Sequence, residues 1–273
     1  MISLVFSTLP LGFIKRLIGI IPSLSVCAPP GIVLEFPFYL GEFKVGIDTI
    51  YPLERKMLTG QYERNTINVI ENYVQLGDVC FDIGANVGAI TFAIAKKITP
   101  RGKVYAFEPG PPIYNRLVNN ISMNPLYKDS IIAENLGVSD SVTKLLWAED
   151  TRPDGRGNGG MRSKNGTEVS VITLDSYCEM HQINKVDFIK IDVEGMEYEV
   201  LKGSESILKN IKPLVYFETL QEFDETKNNT LFQSIEDYLS NLDYIFYAVN
   251  NNGGITPSSH VGLTSDTLAI PKE

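Results

Sequence analysis

Residues 78–88 read Asp-Val-Cys-Phe-Asp-Ile-Gly-Ala-Asn-Val-Gly. An apolar strand, Val79–Ile83, carries Asp82 near its end and runs straight into a glycine turn and an apolar helix over 87–98. Gly84 and Gly88 let the backbone turn sharply and let a ligand lie against bare main chain. The first amides of the helix then face whatever sits over the turn, which is the arrangement of a nucleotide-type site. A dinucleotide site needs Gly-x-Gly-x-x-Gly, because its second glycine admits the pyrophosphate. Here Asn86 occupies that position and would meet the pyrophosphate with a side chain. The carboxylate of Asp82 repels phosphate but suits a cationic ligand bearing an amine and a sulfonium. Asp-x-Gly-x-x-x-Gly therefore favours S-adenosyl-L-methionine over NAD. The next strand, Lys103–Phe107, is followed by Glu108, an acid placed to accept hydrogen bonds from both ribose hydroxyls. The alternative is an ordinary βαβ unit with solvated acids at its strand ends.

A second constellation, Val-Asp-Phe-Ile-Lys-Ile-Asp-Val-Glu-Gly-Met-Glu, fills 186–197. Its strand ends on Asp192, and Gly195 is expected to open a helix. Ligands of open α/β sheets bind outside the carboxyl ends of the strands, so Asp192 and Glu194 should project into the crevice that Asp82 and Glu108 line. The strand Leu214–Phe217 adds Glu218 at the same edge. Methyl transfer to a hydroxyl needs an in-line approach of oxygen to carbon and removal of the hydroxyl proton. Alignment can supply several kcal/mol of the barrier, and a placed carboxylate base roughly 10²- to 10⁴-fold. Asp192, Glu194 and Glu218 are the candidates. Their alternative roles are to orient the methionine amine or cap helices. Two such carboxylates could also hold Mg²⁺, but no metal is assigned. His181 reads as a surface residue on a helix, and His260 lies in a late loop.

The rest of the chain must position these groups. Strands are expected at Val79–Ile83, Val104–Phe107, Ile131–Asn135, Val186–Ile191, Leu214–Phe217 and Tyr244–Val249, with helices at 87–98, 111–122, 196–209 and 230–240. This alternation implies an α/β fold, a doubly wound, Rossmann-like sheet with right-handed crossovers. Tyr244–Val249 and Thr267–Ile270 could form an antiparallel edge pair. Upstream, 63–75 reads as a helix, and Ile32–Phe36 and Phe43–Ile47 as a β-hairpin. Two domains are expected: an N-terminal extension over 1–60 and the catalytic unit over 61–273. The glycine-rich stretch 150–166, with Arg152, Arg156 and Arg162, reads either as a substrate lid or as a solvated hairpin loop.

With 44% hydrophobic and 10% aromatic residues, the 273-residue chain can fill a core. A net charge of −9 and scattered Lys and Arg argue against nucleic acid. Cys27, Cys80 and Cys178 suit neither a disulfide framework nor a zinc site, which points to a cytoplasmic setting. Residues 1–28 are apolar, but Pro10, Pro22 and the Lys15-Arg16 pair keep them short of the ~20 residues a membrane span needs. They read as a helix covering the sheet, as a contact in a homodimer, or as a membrane-surface anchor.

The order and spacing of several blocks resemble the FkbM family of S-adenosylmethionine-dependent methyltransferases. These are Gly60-Gln61-Tyr62-Glu63, Phe81 to Gly88, Ala106-Phe107-Glu108-Pro109, Gly137-Val138-Ser139-Asp140, Thr173-Leu174-Asp175 and Lys190 to Glu197. The resemblance spans about residues 60–220. It implies a seven-stranded methyltransferase fold and methyl transfer to an oxygen, often of a sugar or a polyketide ring. It further implies that Asp82, Gly84, Ala85, Asn86 and Gly88 hold the methionine part and Glu108 the ribose. Ser139 and Asp140 would border the adenine, Glu63 would close over the amino-acid end, and Asp192 and Glu194 would face the methyl. The implied partner is a small-molecule or saccharide acceptor. The rival readings are an NAD-dependent oxidoreductase and a non-catalytic, cofactor-binding partner protein.

Overall fold

The computed structural model describes residues 33–48, 50–149, 159–161, 165–218, 225–250, 253–262 and 266–272. The apolar segment 1–28, Cys27, and Arg152, Arg156 and Arg162 of the glycine-rich stretch lie outside them. A hairpin of β1 (Val33–Tyr39) and β2 (Phe43–Asp48) comes first, followed by helices α1 (Pro52–Thr59) and α2 (Arg64–Tyr73). The chain then alternates through β3 (Val79–Ile83), α3 (Ala89–Ile98), β4 (Lys103–Phe107), α4 (Pro111–Ser122) and β5 (Ile131–Glu134). Short strands β6 (Gly137–Val138), β7 (Thr143–Glu149), β8 (Gly159–Gly160) and β9 (Thr167–Ile172) lead to α5 (Leu174–His181) and β10 (Phe188–Ile191). Helices α6 (Glu197–Lys202) and α7 (Glu205–Asn210) precede β11 (Leu214–Glu218). Helix α8 (Glu225–Asn241) and strands β12 (Tyr244–Val249), β13 (Ile255–Ser258) and β14 (Asp266–Pro271) complete the fold.

The main sheet has eight strands in the order β13-β12-β14-β11-β10-β3-β4-β5. From β11 to β5 every pairing is parallel, whereas β14 enters antiparallel between β11 and β12. Tyr244–Val249 and Thr267–Ile270 do pair antiparallel, as expected, but β13 forms the edge and adds an eighth strand. The helix expected over 196–209 is two helices, α6 and α7, broken at Gly203 and Ser204. It begins two residues after Gly195, which sits instead in the preceding turn.

Alternate residues of each strand serve opposite faces. Cys80, Val104, Phe188 and Tyr216 pack with α2, α3 and the hairpin, while Phe81, Phe107, Ile189 and Phe217 pack with α5 to α8. Both faces are thus covered, which is why the central strands read as near-continuous apolar runs. Helix α3 is buried from Ala89 to Ala95 and again at Ile98, with Lys96 and Lys97 in its last turn complementing the dipole. Asn120 of α4 ties the hairpin to the glycine turn, accepting from the Gly46 amide at 2.8 Å and donating to the Val87 carbonyl at 2.8 Å.

A second sheet, ordered β6-β9-β7-β8, stands beside the main one. It gathers the two apolar runs that flank the glycine-rich stretch. Trp147 of β7 is buried against Gly110 and Gly159, where a Cβ would come within 2.3 and 2.2 Å of its ring.

Phe92 of α3 is fully buried, with its ring centroid 4.9 Å from that of Phe43 in the hairpin. Phe92→Ala should cost about 3–5 kcal/mol in chemical denaturation. A loss below about 1 kcal/mol would show that the hairpin does not share this core.

Candidate active site

The sheet's order reverses between β3 and β10, since the chain builds outward from β3 to β5 and then returns to the other side. A crevice opens at that switch point. Ile83 and Gly84 from β3 and its turn, Asp192, Val193 and Glu194 after β10, and Glu108 after β4 line it. It holds about 550 Å³, counting the part open to solvent. Ile113, Leu136, Val138 and Met161 form an apolar wall.

The two loops meet through backbone. The Asp192 amide donates to the Ile83 carbonyl at 3.0 Å, and a Cβ on Gly84 would stand 1.8 Å from the Asp192 carbonyl oxygen. Gly84 also has φ +79, so both space and conformation require glycine. The amides of Gly84 and Ala85 donate to the Phe107 carbonyl at 3.0 and 2.9 Å, which draws the turn toward β4.

Glu108 is buried, and each oxygen of its carboxylate accepts from a backbone amide, Asn86 at 3.0 Å and Gly110 at 2.8 Å. Burial nevertheless pushes its carboxyl up to about 7 against the pull of those amides. A carboxylate oxygen has more than one acceptor site, so the group retains capacity to accept from hydroxyls in the crevice. Glu197 plays a comparable part in the Asp192 loop. Its carboxylate accepts from Gly195 at 3.0 Å and Val193 at 3.4 Å, and burial raises it to about 7.

Asp82 lies behind this surface. It is fully buried, accepts from the Thr91 hydroxyl at 2.6 Å, and places its other oxygen 3.4 Å from the Lys190 ammonium. Lys190, 3% exposed, also lies 3.4 Å from Asp192 and donates to the Gly84 carbonyl at 3.2 Å. Burial works against its charge, but Asp192, Asp82 and Glu63 hold its pKa above the usual lysine range. Burial, Asp192 and Glu63 push the carboxyl of Glu218 up, and Asp266, its register partner, adds to the effect. Burial likewise raises Glu63, with Lys190 opposing.

Of the residues singled out in the sequence, Gly84, Asn86, Glu108, Asp192 and Glu194 line the crevice together. Glu63 and Glu218 belong to the charged cluster around Asp192 and Lys190. Asp82 was expected at the mouth of the site. The structure puts it in a buried row behind the crevice, because the side chain of a strand residue within a parallel sheet faces a covering helix. Ala85 is buried with Ala106 and Leu117, and Gly88 leaves room for Leu117, whose Cδ1 a Cβ would approach to 2.7 Å. Ser139 and Asp140 line a neighbouring depression that shares Met161 with the crevice, and Asp140 pairs with Lys202 at 2.5 Å. His181 is exposed and stacks on Tyr177, and His260 lies 3.4 Å from Glu236. Lys190 and Met161 had no role in the sequence reading. A lysine between Ile189 and Ile191 in an apolar strand was the available signal for the first.

The residues present fit an adenosyl group with an amino-acid tail. Gly84 lines the crevice as bare main chain closed against the Asp192 carbonyl, Glu108 is preorganised by two amides, and Ile113, Leu136, Val138 and Met161 make an apolar wall. The family model of the methyltransferase FkbM domain matches residues 82–246. The chain is similar to the hexuronic acid methyltransferase AglP of Haloferax volcanii, at 28% identity over 55% of this chain and 59% of that protein. It is similar to methyltransferase sdnD of Sordaria araneosa, at 28% identity over 45% of this chain and 58% of that protein. The chain therefore covers less than two thirds of the length of either relative. The crystal structure of a methyltransferase FkbM from Methylobacillus flagellatus shares the fold, with a TM-score of 0.52, 16% identity, and coverage of 80% of this chain and 52% of that one.

Gly84→Ala should abolish folding or cost more than about 2 kcal/mol, because the methyl meets backbone that cannot withdraw. Gly195→Ala, with φ +94 but open space around the Cβ, should cost only the strain of about 1–2 kcal/mol. Equal losses in denaturation would remove the close-approach account of Gly84. A second expectation concerns pH. With its folded value raised to about 7, Glu108 keeps its proton where the unfolded chain has lost it, so its contribution to stability falls between pH 4.5 and 7. Glu108→Gln cannot titrate and should gain on the parent chain over that window, on the order of 1–3 kcal/mol. A constant difference would contradict the buried, uncharged start.

Proposed function

The chain belongs to the FkbM methyltransferase domain family, and on that premise we propose that it transfers a methyl group from S-adenosyl-L-methionine to a hydroxyl of a sugar or glycan-like acceptor. The observation that carries the proposal is the meeting of the Gly84 turn, Glu108 and Asp192 around one crevice at the sheet's switch point. The sugar assignment draws support from the relative named as a hexuronic acid methyltransferase. In this reading residues 61–273 form the transferase unit and residues 1–60 an extension that helps shape the acceptor side.

Bound S-adenosyl-L-methionine supplies a methyl carbon on a sulfonium, a leaving group that departs as a neutral thioether. Glu108 would accept from the ribose hydroxyls, and the apolar residues from Ile113 to Met161 would take the base. The bare main chain at Gly84 and the side chain of Asn86 would border the amino-acid end. Asp192 and Glu194 would face the acceptor, with Glu218 in the same charged group. A carboxylate of this set would accept the hydroxyl proton as the oxygen forms its bond to carbon, which is worth roughly 10²- to 10⁴-fold. The same carboxylates, by hydrogen bonding to neighbouring hydroxyls, would hold the acceptor in line. No metal is required by this scheme.

Calorimetric titration with S-adenosylmethionine, S-adenosylhomocysteine and NAD in parallel tests the cofactor. Binding of the first two in about the micromolar range, without NAD, is expected. NAD binding alone would replace the proposal with an oxidoreductase, and no binding with a non-catalytic partner role. Asp192→Asn, which keeps an acceptor for Lys190, should still fold and lower S-adenosylhomocysteine production on saccharide acceptors by at least about 10²-fold. Near-normal turnover would move the proton-accepting role to Glu194 or Glu218.

A further inference from the structure

Lys190 is a buried cation with three acceptors around it. Its ammonium lies 3.4 Å from Asp82 Oδ1, 3.4 Å from Asp192 Oδ2 and 3.2 Å from the Gly84 carbonyl oxygen. Two of its three N–H donors go to the Gly84 carbonyl and Asp192 Oδ2, and Asp82 Oδ1 faces it as an ion-pair partner. Asp82 Oδ1 is buried and accepts no hydrogen bond from the described residues, so the nearby ammonium is what offsets its charge. The three acceptors belong to three pieces of the crevice: the core of β3, the glycine turn after it, and the loop after β10. In register, Lys190 stands directly opposite Asp82 across the β3–β10 pair, so the contact follows from the strand pairing itself.

We infer that Lys190 is a positioning residue for the cofactor, locking the Gly84 turn and the Asp192 loop into one arrangement through the Gly84 carbonyl and the Asp82 and Asp192 carboxylates. The inference rests on the cofactor reading above. Without the ammonium, the Gly84 carbonyl would lose its donor, and Asp192 would be free to swing away from the turn. An arginine cannot substitute, since a planar fork does not present three donors to acceptors spread around a point. The charged groups that face the ammonium are Asp82 from β3, Asp192 after β10, Glu63 before α2, and more distantly Glu108 after β4 and Glu218 at the end of β11.

A lysine that merely fills a buried charge pair would also be costly to remove, because a lone buried carboxylate is strongly destabilising. Lys190→Met can therefore fail to fold. The pair Asp82→Asn/Lys190→Met removes one charge of each sign, keeps an acceptor for the Thr91 hydroxyl, and leaves Asp192 without its cation. The measurement is titration of this double variant and of the parent chain with S-adenosylhomocysteine, in buffers of differing ionisation enthalpy at pH 7, beside thermal unfolding. The double variant should melt within about 5 °C of the parent, yet bind at least about tenfold more weakly. Protons exchanged on binding should change by up to about one per site, because Glu63 and Glu218, whose carboxyls the ammonium holds down, lose that cation. Parental affinity and proton exchange in the double variant would overturn the inference and leave Lys190 a structural partner of Asp82. Failure of the parent chain to bind S-adenosylhomocysteine would overturn the cofactor reading, and this inference with it.

Discussion

The parallel pairing of β3 with β10 is the constraint on which the rest of the site depends. The two strands carry motifs more than a hundred positions apart in the chain, and their register sets Asp82 against Lys190 and Ile83 against Ile191. One further hydrogen bond, from the Asp192 amide to the Ile83 carbonyl, continues the ladder past the strand ends. The glycine turn and the acidic loop then leave the sheet side by side. A slip of one residue between the two strands would leave Asp82 and Lys190 on opposite faces of the sheet. Crevice, charge cluster and backbone junction would be lost together.

That register places polar groups among the apolar residues of the central strands, and helix side chains and backbone amides compensate much of their burial. The row across the sheet runs through Asp82, Lys190 and Tyr216. Thr91 reaches down from α3 to Asp82, and Thr66 from α2 lies 2.9 Å from the Tyr216 hydroxyl. Two helix threonines thus serve two buried strand residues, in keeping with the cost of leaving a buried polar group unpaired. Glu108 and Glu197 are compensated differently, by backbone amides. Amides carry no net charge, and both carboxyls stay raised to about 7. Beyond Lys190 the balance turns. Glu63, Asp192, Glu218 and Asp266 gather near Lys190, and burial and this crowding raise the carboxyls of Glu63 and Glu218, a strain that a cationic ligand would relieve.

Much of this could be read from the chain because local pattern and tertiary role agree. The glycine turn after Val79–Ile83 and the acids after β4 and β10 follow from strand polarity alone, since loops at carboxyl ends meet at the switch point. Asp82 was misplaced by one layer, for the same reason that makes strands legible: alternate residues face opposite sides, and a residue before the strand's end belongs to the core. Gly88 shows a different limit. Its role in the turn was visible, whereas the Leu117 side chain that occupies the space of its absent Cβ belongs to α4. Of the second sheet, β6 and β8 were hidden because they are two residues each, too short for any periodicity. The insertion of β14 between β11 and β12 is long-range topology, which no local pattern encodes.

Backbone conformation offers an independent view of the same region. Of seven described non-glycine residues with positive φ, Asn86 (φ 50) and Glu194 (φ 55) line the crevice and Glu63 (φ 37) belongs to the charged cluster around Lys190. The other four, Leu40, Gln182, Lys212 and Asp243, lie in turns and helix ends away from the crevice. Left-handed conformations cost an L-residue on the order of 1–3 kcal/mol and persist where the surroundings over-determine them. At Asn86 the surroundings are visible, since its amide is fixed by Glu108 and its own Oδ1 accepts from Val87 at 2.8 Å. At Glu194 the next residue is also left-handed, and Glu197 gathers the loop's amides from within. Glycine would relax each of these positions at no steric cost. The chain instead keeps a carboxylate or an amide at all three, so the strain is the cost of presenting polar side chains from turns that glycine would form more easily.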